Sequence, residues 1–415
     1  MENQARGPRR TRRSSGMTRG SRLAAGTVIL TAAALVITGC GAIGSGPQAQ
    51  SSGDTLKVGL IAPITGPAVQ EGLALQRGFE LGVKKINDAG GVLGRNVEFV
   101  MVDDQASAAK STQLAQRLVT QDDVDYLFGT IPGDTTAAVG KVSEASKVPF
   151  SSVVLGDAAF CGPYFYPFGE PDMTMLDVIV PEMLKKYGKR VAMVGNDYVF
   201  PRNYLAKART MVEAAGGTIE VEEYSPLGTA DWQPVLNKVS AAKPEWVLSA
   251  VVGGDATSLV SQADQAGLLR ATGFSGVSIM QDFYPGLAGR IEGMQLPGRY
   301  SDQLEGEANA EFVQNYRKAY DFTAPIPGVA ANAYEGIQLV ARAVEKAGST
   351  DPDAIVAALS NASIEKGVFG SGHFTRDQRF VTDMYLLDIQ AGGKYVPVKT
   401  LDALEDTGSG TRCGS

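Results

Sequence analysis

Residues 55–91, TLKVGLIAPITGPAVQEGLALQRGFELGVKKINDAGG, decide the fold. The stretch opens on a short apolar run, Thr55 to Ala62, rich in branched side chains and stopped by Pro63. A run of that length reads as a strand buried in a sheet. A helical spacing follows, with Leu75, Phe79, Val83 and Ile86 on one face and Gly90-Gly91 as the stop. A buried strand leading into an amphipathic helix is the repeating unit of a parallel sheet covered by helices.

The unit recurs along the chain. Strands are expected at Asn96 to Val102, Val124 to Phe128 and Phe150 to Val154, with helices at Ser107 to Thr120 and Asp134 to Ser146. A second series then begins. Its strands are Arg190 to Val194, Thr218 to Glu223, Glu245 to Val251 and Gly276 to Met280. Its helices are Tyr204 to Ala215, Asp231 to Ala242 and Asp255 to Ala266. Two further helices, Ala308 to Tyr320 and Tyr334 to Ala347, precede terminal strands at Phe380 to Ile389 and Lys394 to Val398. Two such series predict two α/β lobes, each a mainly parallel sheet flanked by helices.

Composition agrees and excludes much else. The chain has 415 residues, 44% hydrophobic and 20% charged, which is ordinary for a globular protein and excludes general disorder and coiled coil. The net charge of −7 is uneven: seven arginines against Glu2 before Cys40 make that segment +6, leaving −13 on the rest. A body that acidic is repelled by nucleic acid. The single histidine, His373, lies in GSGHF (370–374), read as an exposed loop with no partner at metal spacing. No GxSxG, HExxH, CxxC or GxxxxGK[ST] is present, and the glycines of AGGVLG (89–94) follow a helix, not a strand. No catalytic residue, metal or cofactor is expected.

The N-terminus reads as an export signal. LAAGTVILTAAALVIT (23–38) is uncharged but shorter than the roughly 20 residues that span a bilayer. Arginines precede it and Gly39-Cys40 follows it, an arrangement that resembles a bacterial lipobox and predicts lipidation of Cys40. Arg12-Arg13 looks like a twin-arginine signal, but Ser14, Ser15 and Gly16 supply no apolar residues after it, and Met17 could itself start a complete signal. Residues 41–53 are rich in Gly, Ser, Gln and Ala and read as a flexible tether. The expected product is a lipid-anchored protein at the outer face of the cell membrane. Cys161 and Cys413 could then form a disulfide.

In doubly wound sheets, ligands sit outside the carboxyl ends of the strands, next to helix N-termini. The candidate turns are PITG (63–66), GTIPGDTT (129–136), LGD (155–157), GNDY (195–198), GGD (253–255) and QDF (281–283). They supply as candidate ligand contacts Thr65, Thr130, Asp134, Thr135, Asp157, Tyr198, Asp255, Asp282 and Phe283. Thr130 and Thr135 would suit a carboxylate or carbonyl oxygen at a helix start, although Asp134 or Thr135 could simply cap that helix. Tyr198 could stack on a planar amide. Asp157, Asp255 and Asp282 could each receive an ammonium or amide N–H, or serve as a cap or a solvated turn. Phe283 and Tyr284 could wall the ligand or pack between the lobes.

LKVGLIAPITGP (56–67), GFELGVKKINDAGGVLGRNVEFVMVDD (78–104) and ANAYEGIQLVARAVEKAGSTDPDAI (331–355) resemble the solute-binding proteins of branched-chain amino acid and amide importers. The resemblance implies a two-lobed type I periplasmic binding fold joined by a three-strand hinge. It also implies capture of a small polar solute and delivery to ABC permease subunits. Within the family, VGNDYVFPR (194–202), EEYSPLG (222–228) and AVVGGD (250–255) are similar to the urea and short-chain amide branch, whose aromatic over the ligand corresponds to Tyr198. Two places depart. The serine pair of amino-acid binders is Pro132-Gly133 here, with the threonine place near Gly156, which weighs against an ordinary α-amino acid. The Tyr-Pro…Tyr-Glu stretch of the amide branch is SSVVLGD (151–157), which weighs against urea itself.

The resulting expectation is a signal at 1–39, a lipidated tether at 40–54, lobe 1 at 55–169 plus 301–381, lobe 2 at 170–300 plus 382–402, and a disordered tail at 403–415. The function expected is solute capture for an ABC importer. The rivals are a sensory receptor of the same fold, or an exported amidase, for which no nucleophile–base pair is recognisable.

Overall fold

The computed structural model describes residues 55–154, 160–170, 173–375 and 377–401. The signal, Cys40, the tether, Gly156, Asp157 and the C-terminal tail lie outside the described residues. The first sheet alternates strictly with helices: β1 (Lys57–Ala62), α1 (Val69–Asp88), β2 (Glu98–Asp103), α2 (Ala108–Thr120), β3 (Tyr126–Gly129), α3 (Gly133–Ser146) and β4 (Phe150–Ser151). Its strands run parallel in the order β2-β1-β3-β4.

The second sheet is built the same way, from α4 (Thr174–Tyr187), β5 (Arg190–Asn196), α5 (Val199–Ala214), β6 (Thr218–Ser225), α6 (Gln233–Ala242), β7 (Trp246–Ala250), α7 (Gly253–Gln265), the short α8 (Leu268–Ala271) and β8 (Gly273–Gly276). Its parallel order is β6-β5-β7-β8. The chain continues through two 3₁₀ turns, Val277–Ile279 and Gln281–Phe283, to α9 (Tyr284–Leu287) and β9 (Gln295–Gly298). It then returns to the first sheet with α10 (Glu307–Tyr320), α11 (Gly328–Ala347) and α12 (Pro352–Leu359). Strands β10 (Ser363–Gly367), β11 (Gly370–Phe374) and β12 (Phe380–Thr382) form an antiparallel sheet, and β13 (Met384–Gln390) pairs with β9 and β14 (Lys394–Leu401).

Each parallel sheet carries core on both faces, as helical cover on both sides requires. In β1, Val58 and Leu60 join Phe79, Phe128 and Ile337 on one face, while Ile61 joins Leu118, Leu127 and Val139 on the other. In the second sheet Val194 and Val247 face one cluster, Met193 and Leu248 the other. Helix α1 lies against α11 so closely that a Cβ on Gly78 would come within 2.1 Å of the Ala330 carbonyl oxygen.

Several expectations are corrected. Gly276 to Met280 is not a strand: β8 ends at Gly276, whose φ of +122° breaks the extension. The next residues form a 3₁₀ turn pinned by the Ser278 hydroxyl, which donates to the Val251 carbonyl at 2.7 Å. Phe380 to Ile389 is two strands in two sheets, divided at Asp383. Phe150 to Val154 contributes only two strand residues, and α11 starts at Gly328 rather than Tyr334. His373 stands exposed in strand β11, not in a loop. Helices α4 and α12, and strands β9, β10 and β11, had no counterpart in the sequence reading. Cys161 is disulfide-bonded, and the other two cysteines, Cys40 and Cys413, lie outside the described residues.

Candidate functional site

The strand order reverses direction between β1 and β3, and again between β5 and β7, so each sheet has a crevice at its carboxyl end. The two crevices face one another. Between them lies a cavity of about 290 Å³. One wall comes from Pro67, Ala68 and Glu71 at the start of α1, Ile131 to Asp134 at the start of α3, and Val329 and Asn332 of α11. The other comes from Tyr198 and Phe200, Leu227 and Gly228, Val252 to Asp255, and the 3₁₀ turn with Asp282 and Phe283. The walls touch at Gly253: its φ is +62°, and a Cβ there would lie 2.8 Å from the Pro67 carbonyl oxygen. Glycine meets both demands, a left-handed backbone and the close approach.

The second lobe's turns are fastened to one another. The buried Asn196 side chain accepts from the Val252 amide at 3.0 Å and donates to Asp255 Oδ2 at 2.8 Å. The same Asp255 oxygen accepts from the Gly228 amide at 2.9 Å and the Thr229 amide at 3.2 Å. One carboxylate therefore holds the turns after β5, β6 and β7 in register, and lines the cavity as well.

A second polar assembly joins the connections between lobes. Arg299, fully buried just after β9, donates through Nε and Nη2 to Asn332 Oδ1 at 3.1 and 2.7 Å. Its backbone amide donates to Glu170 Oε1 at 3.0 Å. Its guanidinium lies 4.8 Å from the Phe369 ring centroid and 5.8 Å from that of Phe380, within cation–π range. Asn332 in turn donates to the Val153 carbonyl at 3.0 Å.

Burial dominates the electrostatics. It pushes the Glu71 carboxyl up to about 8, with the nearby Asp282 charge adding to the rise and the Gly253 amide offsetting part of it. Burial likewise pushes Asp282 up to about 7. Glu170 rises for the same reason, against the pull of Arg299. Asp255 is also raised by burial, against its amide donors.

Of the candidates drawn from sequence, Asp134, Tyr198, Asp255, Asp282 and Phe283 line this cavity. Thr65, Thr130 and Thr135 are not among its lining residues. The Thr65 hydroxyl donates to Asp103 Oδ2 at 2.6 Å. Thr130, at φ +67°, pairs its buried hydroxyl with that of Thr136 at 2.9 Å. The Thr135 hydroxyl donates to the Pro132 carbonyl at 2.7 Å. Glu71, Glu170 and Asn332 escaped the sequence reading. Glu71 left a signal, since it sits four residues before Leu75 on the apolar stripe of α1, where an acid is out of place. No group of three or more metal-ligating side chains occurs among the described residues.

Residues 55–394 match the family model described as periplasmic binding protein. The chain belongs to that family, the extracytoplasmic substrate-binding proteins that serve ABC transporters. It is 25% identical over 344 residues to Leu/Ile/Val-binding protein homolog 7 of Brucella suis, an alignment covering 78% of this chain and 85% of that one. It is 26% identical over 324 residues to the leucine-, isoleucine-, valine-, threonine- and alanine-binding protein of Pseudomonas aeruginosa, covering 75% and 84%. Among solved structures, the solute-binding protein of an ABC transporter from Rhodopseudomonas palustris BisB5, in complex with 3,4-dihydroxybenzoic acid, superposes with a TM-score of 0.79 at 26% identity, covering 85% of this chain and 99% of that one.

Proposed function

We propose that this chain is the lipid-anchored binding component of an ABC importer, tethered through Cys40 at the outer face of the cell membrane. It captures a small polar solute, in the size range of a short amide, a urea derivative or a branched-chain amino acid, and presents it to permease subunits. The observation that carries the reading is the cavity of about 290 Å³ bounded by strand-end turns of both sheets, at the small end of ligand pockets. Residues 55–169 with 301–381 act as one lobe and 170–300 with 382–402 as the other, hinged at the three connections between them. Solute contacting both walls favours the closed state, because only that state makes all the contacts. Tyr198, Asp255, Asp282 and Phe283 supply contacts from the second lobe, and Asp134 one from the first.

A thermal-shift screen over small amides, amines, amino acids and aromatic acids tests this. A bound solute raises the apparent melting temperature by mass action. The expected result is a concentration-dependent rise for one chemical class. A flat response across all of them refutes solute capture.

A further inference from the structure

We infer that the solute carries a cationic nitrogen head, a protonated amine or an amidinium-type group, seated against Glu71 and Asp282, on an apolar body that bears no carboxylate. This rests on the binding role proposed above and names the chemistry of that same cavity.

The first observation is the sign of the lining. Glu71, Asp134, Glu170, Asp255 and Asp282 border the cavity, and among the described residues no lysine, arginine or histidine lines it. Arg299 stands against Glu170; no cation stands against Glu71 or Asp282 among the described residues.

The second is independent of charge counting. Glu71 Oε2, Glu170 Oε2 and Asp282 Oδ1 are buried with no hydrogen-bond partner among the described residues. Their side chains belong to residues only 7%, 4% and 7% exposed. A buried acceptor left unmade costs about 1–3 kcal/mol, more when charged. Three such oxygens around one cavity mark the place of donors that the protein itself does not provide.

Helix ends do not fill that need. Glu71 lies in the first turn of α1 and Asp255 in that of α7, but a helix N-terminus supplies only about half a unit charge. Asp282 sits in a three-residue turn that runs into α9, a helix of only four residues whose N-terminus carries little field.

Side-chain donors for a carboxylate are also scarce among the described residues of the cavity. The hydroxyls of Thr65, Thr130 and Thr135 are engaged elsewhere, Pro132-Gly133 has none, and Asn332 Nδ2 is held by the Val153 carbonyl. Ile131, Val154, Phe283 and Val329 form an apolar remainder suited to a hydrocarbon body.

The test compares head groups on constant bodies by calorimetry: isopentylamine, isovaleramide, isovalerate and leucine in one series, and benzylamine, benzamide and benzoate in the other. The expected result is that an amine binds at least ten-fold more tightly than the amide or carboxylate of the same body. Glu71→Gln and Asp282→Asn should each weaken that amine at least ten-fold and, above about pH 8, where the unliganded pair has lost its protons, raise the melting temperature of the unliganded protein, since each removes a buried charge without removing volume. A purely structural role would not move the two readouts in opposite directions. Tighter binding of leucine, benzoate or an amide overturns the head-group assignment and leaves solute capture standing. Amine affinity unchanged in both variants also overturns it, as does failure of every probe. If the wider screen is silent too, solute capture falls with it.

Discussion

Glu71 and Asp282 show how much a single position can carry. Both are buried, and burial holds their protons to about 8 and about 7. The unfolded chain releases those protons in the ordinary carboxylate range. Between that range and about pH 8 the folded protein therefore binds more protons, and its stability falls as pH rises. The groups facing this pair are Glu170 with its partner Arg299, and the Tyr316 and Tyr395 hydroxyls near Asp282. Chemical denaturation of the unliganded protein from pH 5 to 8 should show the decline, and Glu71→Gln should flatten it. Stability that rises over this interval contradicts the assignment. Tyr198→Ala should weaken binding of whichever solute the screen identifies by at least ten-fold, with the circular dichroism spectrum unchanged. Unaltered affinity removes Tyr198 from the contact set.

Asp282 was legible in the sequence because topology alone places the turn after β8 at the mouth of the sheet. Glu71 was passed over because an acid in a helix is normally solvated, although its place on the stripe with Leu75 and Phe79 argued otherwise. Thr130 occupies the expected turn, yet its hydroxyl is taken by Thr136, a local pairing that strand spacing does not reveal.

Elements with a clear period were read well. Helix α1 announces itself through Leu75, Phe79, Val83 and Ile86, all buried. Helix α4 does not, since TMLDVIVPEMLKKY is apolar on several sides and contains Pro181, normally a breaker. The run across Phe380 to Ile389 looks continuous but changes sheets, which no one-dimensional pattern reports. At this scale the contact of α1 with α11 is the sharpest test. Gly78→Ala puts a methyl group against the Ala330 carbonyl oxygen, backbone against backbone, where no flexible side chain can yield. It should destabilise by about 1–3 kcal/mol, read as a lower denaturant midpoint with an unchanged slope. A neutral result would mean that the two helices separate freely.

The molecule as a whole is two similar halves whose crevices meet, with polar fastening of a different kind in each place. Asp255 locks three turns of one half to each other, whereas Arg299 gathers segments that connect the halves. On the proposed function, the lobes would move as units while the connections bend. Gly253, pressed against Pro67, marks where the walls come together. Gly253→Ala should strain both the left-handed backbone and that contact, weakening solute affinity about ten-fold while leaving each lobe folded. Calorimetry with the identified solute reads the loss, and an unchanged affinity would show that the walls need not meet there.

Small-angle X-ray scattering, with and without a saturating solute from the screen, tests directly whether the lobes close on the solute. The account predicts a smaller radius of gyration in the bound protein, with the Gly253→Ala variant needing more solute to reach it. An identical scattering profile in both conditions, at concentrations where calorimetry shows the site filled, would contradict it.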